Sequence, residues 1–237
     1  MLTMFYRTIY VQEERIFMRY EVNVNAVKKQ EGSLKGFATV VFEDCFKVSN
    51  IAIVENKDGE LFVSMPRYSC GSEQGEYKDI CNPITKEFRE ELYNTILSTF
   101  AEHLERGTKK TFVGGKEAHD LDFKVSVTPF EKEDSNIRGL ARIFIEDSFA
   151  ISNVSLLEGK NGLFVAMPSY KTKQVDENGK SVYQDVCYPI TKEFREKLYD
   201  TVKDAYKQAK EQKQEEPKGF VSNKGRDQAL DKDTLLR

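Results

Sequence analysis

Several residue types are scarce in this chain, and their scarcity narrows what the chain can do. Its 237 residues include no tryptophan, two histidines, four cysteines and six prolines. A Ser-His or Cys-His catalytic pair needs a histidine base within reach of its nucleophile. His103 and His119 both lie between the repeated motifs described below, and neither is duplicated. We therefore expect a protein that is not an enzyme.

The four cysteines give no sign of a metal site. A zinc site needs closely spaced pairs of Cys or His ligands, and the cysteines show no such pairing: Cys45, Cys70, Cys81 and Cys187. Free cysteine packs like a small hydrophobic residue. We expect buried or half-buried thiols, with no metal, cofactor or small-molecule substrate.

Long apolar runs and an excess of one charge are also missing. No run approaches the roughly 18 apolar residues of a membrane span, and the N-terminus lacks a signal-peptide pattern. The first 117 residues hold 16 basic and 18 acidic side chains, and the remainder hold 20 and 21. No glycine-rich phosphate loop is present. These features predict a cytoplasmic protein without membrane partners and without a strongly basic domain.

The most prominent feature of the chain is an internal duplication of one small domain. The eight residues 83–90, Pro-Ile-Thr-Lys-Glu-Phe-Arg-Glu, recur unchanged at 189–196. Upstream, residues 61–66 match 163–168, and residues 43–46 match 146–149. The offset between copies is 103, then 102, then 106, and it changes only where loops can absorb residues. A repeat of about one hundred residues is the size of a small domain.

Each copy predicts an α+β fold, an antiparallel β-meander followed by a C-terminal helix. Val22 and Val24 alternate with polar residues, which is typical of a half-buried strand. Asp58-Gly59 and its counterpart Asn161-Gly162 indicate hairpin turns. Apolar residues then recur at helical spacing, and Thr85 and Thr191 stand where helix N-caps are expected.

The predicted organisation has five parts. Residues 1–20 form an N-terminal extension, 21–105 the first domain, 106–122 a partly flexible linker, 123–210 the second domain and 211–237 a disordered polar tail. Met18 is hypothesised as an alternative translational start. The acidic pairs Glu43-Asp44 and Glu146-Asp147 end a strand, so we interpret them as turns. A hydrolase using these carboxylates is the minor alternative.

At this point the residues carry a resemblance. The run Gly-Leu-Phe-Val-Ala-Met-Pro-Ser at 162–169, the following loop and the Pro-Ile helix start resemble the stage V sporulation protein G (SpoVG) family. The similarity spans residues 124–210 and 21–105. It implies a cytoplasmic bacterial regulator that binds DNA or RNA and is linked to septation and sporulation. Family members are dimeric, which implies that the two copies pair within one chain as a pseudo-dimer, or that the chain forms homo-oligomers.

The resemblance also implies where nucleic acid is bound. In the family, basic residues after Met-Pro-Ser and around the following loop and helix make these contacts. The matching candidates here are Arg67, Lys78, Arg89, Lys171, Lys173 and Arg195. Tyr68 and Tyr170 are candidates for stacking on unpaired bases. Arg67 replaces the family serine, and Asn82 and Tyr188 replace the family histidine.

Two functions stay open at this stage. The first is a nucleic-acid-binding regulator, and the second is a protein-interaction or scaffolding module that has lost this binding. Each basic residue also has a plain alternative as a solvated surface charge. Arg89 and Arg195 in particular fit helix-surface charges with local partners.

Overall fold

The structure, a computed structural model, describes residues 18–27, 32–69, 76–115, 117–130 and 135–215. The predicted extension, the tail beyond Glu215 and Cys70 lie largely or wholly outside these residues. Within them, no helix is both long enough and apolar enough to cross a membrane. We call residues 18–115 unit 1 and residues 117–215 unit 2.

Unit 1 consists of strands followed by a helix and a last strand. In chain order its elements are β1 (Tyr20–Ala26), β2 (Leu34–Phe42), β3 (Phe46–Glu55), β4 (Leu61–Ser64), β5 (Arg67–Ser69), β6 (Tyr77–Asp79), β7 (Cys81–Pro83), α1 (Lys86–Arg106) and β8 (Lys110–Val113). Strands β1 to β4 form the predicted antiparallel meander.

Unit 2 repeats this order up to its helix. Its elements are β9 (Phe123–Pro129), β10 (Ile137–Ile145), β11 (Phe149–Gly159), β12 (Gly162–Ala166), β13 (Ser169–Val175), β14 (Ser181–Asp185), β15 (Cys187–Pro189) and α2 (Lys192–Glu215). Strands β9 to β12 form the second meander. The predicted fold class, two tandem domains of meander plus helix, is confirmed.

Alternation of apolar and polar residues determines which face of each sheet is buried. In β1, Tyr20, Val22 and Val24 are at most 1% exposed, whereas the residues between them are only partly buried. Each long hairpin shifts register twice, and one of its two shifts lies near Asn50 or Asn153, whose φ angles are 60° and 61°. Asparagine tolerates this left-handed conformation better than most residues do, which suits it to a bulge.

Each helix begins at the predicted threonine cap. The hydroxyl oxygen of Thr85 accepts a hydrogen bond from the Phe88 amide at 3.3 Å, and Thr191 accepts one from the Phe194 amide at the same distance. Helix α1 ends at Arg106 and is capped by Gly107, which has a φ of 76°. One stripe of α1 is buried against the sheet: Phe88, Leu92, Ile96 and Phe100.

The two units exchange short strands. Strand β7 of unit 1 pairs with β11 of unit 2, with Cys81 opposite Ile151. Strand β15 of unit 2 pairs in the same way with β3 of unit 1, with Cys187 opposite Val48. Each helix therefore starts from the sheet of the other unit.

A shared core accompanies this exchange. The rings of Phe42 and Phe149 lie 5.1 Å apart between centroids, and Phe46 of unit 1 packs edge-on against Phe194 of unit 2 at 6.2 Å. Cys81 and Cys187 are fully buried, and their side chains are hydrogen-bonded to each other. That contact and burial raise the pKa of the Cys81 thiol. Both cysteines pack within the hydrophobic core.

The acidic pairs form turns, as interpreted. Glu43, Asp44, Glu146 and Asp147 all have positive φ between 42° and 52°. The Glu43 carboxylate is almost fully buried and accepts hydrogen bonds from the Arg19 amide at 2.6 Å and the His119 amide at 2.9 Å. Glu146 accepts one from the Asp122 amide at 2.8 Å. These carboxylates hold the entering chain of each unit against its turn.

The linker and tail boundaries need correction. Residues 110–113 of the predicted linker form β8, which pairs with β1, because Thr111 and Val113 find backbone and core partners beside it. Helix α2 continues to Glu215, five residues beyond the predicted end of the second domain. The rest of the predicted tail lies outside the described residues.

The exchange predicts that the units unfold together. Replacing Phe149, which is fully buried against Phe42 of the other unit, by alanine should lower the free energy of unfolding by about 3–5 kcal/mol. Urea unfolding, followed by NMR signals from both units, should show one transition at a lower midpoint.

Phe164→Ala is the matched control, since Phe164 is 45% exposed and its truncation should change stability by less than about 1 kcal/mol. A Phe149→Ala transition that shifts only for signals of unit 2 would contradict the shared core.

Candidate nucleic-acid interface

Most of the predicted binding residues lie on two small hairpins. Hairpin 1 consists of β5 and β6, and hairpin 2 consists of β13 and β14. Each is closed at its base by one equivalent hydrogen bond, from the Ile80 amide to the Pro66 carbonyl and from the Val186 amide to the Pro168 carbonyl, both 2.8 Å. Hairpin 1 is followed directly by β7 and hairpin 2 by β15, the two strands that pair with the sheet of the other unit. Each hairpin therefore lies next to the junction of the two sheets.

Hairpin 2 presents two lysines to solvent. Lys171 and Lys173 are exposed, and neither ammonium group has a carboxylate within 4 Å among the described residues. Lys171 lies opposite Tyr183 in the register, so the two side chains share one face. Tyr183 is 46% exposed. This face combines positive charge with an accessible aromatic ring.

Hairpin 1 is arranged differently. The Arg67 guanidinium lies 4.9 Å from the centroid of the Tyr77 ring, and Arg67 is opposite Asp79. Partial desolvation raises the pKa of Asp79, while the charges of Arg67 and Arg89 oppose that rise. Lys78 is exposed and lies opposite Tyr68. Arg67 is thus engaged by its own hairpin, and Lys78 is the more accessible cation.

The helix arginines make an equivalent structural contact in both units. Arg89 donates to the Pro83 carbonyl at 2.9 Å, and Arg195 donates to the Pro189 carbonyl at 3.0 Å. Each guanidinium thereby ties the first turn of its helix to the exchanged strand that precedes it. This local partnership matches the plain alternative for these two residues, and their contact with phosphate stays a prediction.

The two tyrosines predicted to stack on bases are less exposed than stacking on an unpaired base requires. Tyr68 and Tyr170 are partly buried and pack against the core. The Tyr170 hydroxyl also donates to the Gln184 side-chain oxygen at 2.8 Å. The exposed rings are those of Tyr77 and Tyr183, at 57% and 46%. Strand alternation explains the difference, since each tyrosine that follows Met-Pro by two residues turns its ring inward.

A separate cleft of about 310 Å³ lies at the start of α2. Its lining includes Glu43, Cys45, Asp120 and Lys197. Burial, followed by the negative charges of Glu43 and Asp120, raises the pKa of Cys45 to about 11, and Lys197 opposes the rise. The thiol is therefore protonated at neutral pH, which argues against a nucleophilic role.

The raised pKa gives a testable pH dependence. At pH 8 the thiolate fraction of Cys45 should be about a hundredfold lower than for a thiol of pKa 9.0. Alkylation by iodoacetamide, mapped by mass spectrometry, should accelerate about tenfold per pH unit from 7 to 9.5. The same peptide in denaturant is the control. A rate that levels off near pH 9 in the folded protein would contradict the shift.

Comparison with known proteins divides the chain into the same two units as the structure does. The family model for SpoVG matches residues 18–102 and again residues 122–208. A "Putative septation protein SpoVG" of Treponema denticola is 39% identical over 80 residues, which is 34% of this chain and 82% of that protein.

Two further relatives carry the same name. The protein of Acholeplasma laidlawii is 37% identical over 75 residues, which is 32% of this chain and 73% of its own length. The protein of Clostridium botulinum strain Alaska E43 is 40% identical over 75 residues, or 32% of this chain and 79% of its own. Each relative thus aligns over about the length of one unit.

Proposed function

Because the chain belongs to the SpoVG family, we propose that it is a regulator that binds RNA or DNA through hairpin 2. The observation that carries this proposal is the pairing of the exposed Lys171 with the exposed ring of Tyr183 across hairpin 2, with a second exposed cation, Lys173, two residues along the same strand. Lysines bind phosphate by displacing counterions. Tyrosine rings stack on unpaired bases with little regard to sequence.

We propose that hairpin 2 prefers single-stranded nucleic acid to a duplex. An exposed tyrosine beside lysines suits bases that are not already stacked in a duplex. The formal net charge of −3 offers no general attraction to a polyanion, so binding rests on this local face. The names of the relatives place them in septation, and we propose that the regulated process here is linked to septation as well.

Removing the two lysines tests the site. In titrations against single-stranded RNA and duplex DNA at two salt concentrations, Lys171→Ala with Lys173→Ala should weaken binding to both. If each lysine contacts one phosphate, the salt slope for single strands should fall by about 1.4. Tyr183→Leu should weaken binding to the single strand more than binding to the duplex.

The matched control is Lys57→Ala with Lys160→Ala. These lysines are exposed in equivalent turns of the two units, so the double variant loses the same charge away from hairpin 2. Equal losses of affinity in the two double variants would mean that only net charge matters. Absence of binding by the unaltered chain at low salt would overturn the proposal.

One observation favours the second candidate, a protein-interaction module. The outer face of each sheet exposes large apolar side chains at equivalent places, Phe37 and Phe62 in unit 1 and Leu140 and Phe164 in unit 2. Apolar surface of this kind marks protein contacts when it is contiguous. This candidate gains if the titrations show no binding.

We also propose that the single chain does the work of a homodimer. Through β7 and β15, each unit receives from the other the short strand that a second chain would otherwise donate. Light scattering should therefore give the mass of one chain, 27.3 kDa, whereas residues 18–115 alone should self-associate to recover the missing strand. A full chain that is dimeric at micromolar concentration would contradict this expectation.

A further inference from the structure

The outer edge of β9 differs from its counterpart in unit 1. There, β8 covers the edge of β1, with Tyr20 opposite Val113 and Asn23 opposite Lys110. Among the described residues, β9 pairs with β10 alone. Its second edge therefore has no strand partner within this described part of the chain, and an unpaired edge is a template for another strand.

Burial shows the same asymmetry. Val22 and Val24 of β1 are 0% exposed, whereas their equivalents Val125 and Val127 are only half-buried. The residue types are identical, and each strand packs beneath the helix of its own unit. The difference matches the strand pairing seen among the described residues, because a strand beside β9 would cover both valines.

The tail of the chain carries the sequence that fits this edge. Residues 218–221, Lys-Gly-Phe-Val, match residues 110–113 of β8, Lys-Thr-Phe-Val. In unit 1 the Thr99 hydroxyl donates to the Thr111 hydroxyl at 2.8 Å. The equivalent positions are Ala205 and Gly219. Both hydroxyls are absent together, so the exchange leaves no polar group without its partner.

The end of α2 lies where such a strand must begin. The Lys213 ammonium donates to the carbonyl of Pro129, the last residue of β9, at 3.3 Å. Lys218 lies six residues after Gln212, the equivalent of Arg106, whereas Lys110 lies four residues after Arg106. Because α2 runs three residues past Gln212, two residues connect its end at Glu215 to Lys218, whereas three residues connect Arg106 to Lys110.

We propose that residues 218–221 add to β9 as an antiparallel edge strand, with Lys218 opposite Ser126 and Val221 opposite Phe123. Pro217 precedes this strand, and its carbonyl would replace that of Lys109, which accepts from the Val24 amide at 2.9 Å. A proline that supplies only a carbonyl suits the first position of an edge strand.

The added strand should be held less tightly than β8. Lys110 pairs with Glu21 at 2.8 Å, but Lys124 stands at the position equivalent to Glu21. Lys124 is itself paired with Asp147 at 2.5 Å. The tail strand therefore lacks this ion pair and depends on backbone hydrogen bonds and apolar cover.

Amide hydrogen exchange, followed by NMR, tests the proposal. Because the Val24 amide points toward β8 and alternate residues share a direction, the amides of Val125 and Val127 point to the open edge. They should be protected in the full chain. Ending the chain at Glu215 should make them exchange at least about tenfold faster, while the Ser126 amide, which faces β10, should not change.

A chain that ends at Asn223 is the matched control, since it keeps the strand and loses the rest of the tail. Gly219→Pro in the full chain removes the donor opposite Val125 and should reproduce the loss of protection, whereas Asn223→Pro should not. Gly219→Pro also decides the matter if the shortened chain fails to fold.

Three results would overturn the proposal. The first is equal exchange of Val125 and Val127 in the full chain and in the chain ending at Glu215. The second is protection that grows with protein concentration, which would assign the edge to a second copy. The third is protection that is lost on removing residues 1–17 and kept on removing the tail, which would assign the edge to the N-terminal segment.

Discussion

The exchange of β7 and β15 is the constraint on which the rest of the structure depends. Each of these strands is only three residues long, yet each connects a hairpin, a helix start and the sheet of the opposite unit. The arginine contacts to Pro83 and Pro189, the threonine caps and the buried cysteine pair all lie within a few residues of the exchanged strands. The position of each hairpin is therefore set by both units, and the geometry of hairpin 2 cannot be separated from the shared core.

Local patterns predicted the elements of each unit well, because the information lies in neighbouring residues. The Asp-Gly and Asn-Gly turns, the threonine caps and the helical stripe from Phe88 to Phe100 all follow from spacing and side-chain chemistry. The pairing partner of β7 cannot be predicted in this way, because the sequence Cys81, Asn82 and Pro83 suits a strand in its own sheet as well as one in the sheet of the other unit. Strand β8 was missed because glycines and lysines surround a short apolar piece, and only its pairing with β1 shows its role.

The candidate site was predicted in part for a related reason. Lys171, Lys173 and Lys78 are exposed on the hairpin strands, at positions that the family resemblance implies. The choice of tyrosines needed the register, because one residue along a strand decides whether a ring faces the core or solvent. Tyr183 stands opposite Lys171 across the hairpin, and that relation is invisible until the turn of hairpin 2 is known. Alternation within β13 could have flagged Tyr170 as inward-facing, had its strand been assigned.

Joining both units in one polypeptide also changes what mutation can do to hairpins 1 and 2. In an assembly of two identical chains, every substitution appears twice and the two hairpins must keep the same sequence. Here Arg67 stacks on Tyr77 in hairpin 1, while Lys171 and Lys173 are exposed in hairpin 2. Because one chain encodes both units, a substitution can change one hairpin and leave the other unchanged. The two hairpins can therefore acquire different binding surfaces while the exchanged strands keep the same structure in both units.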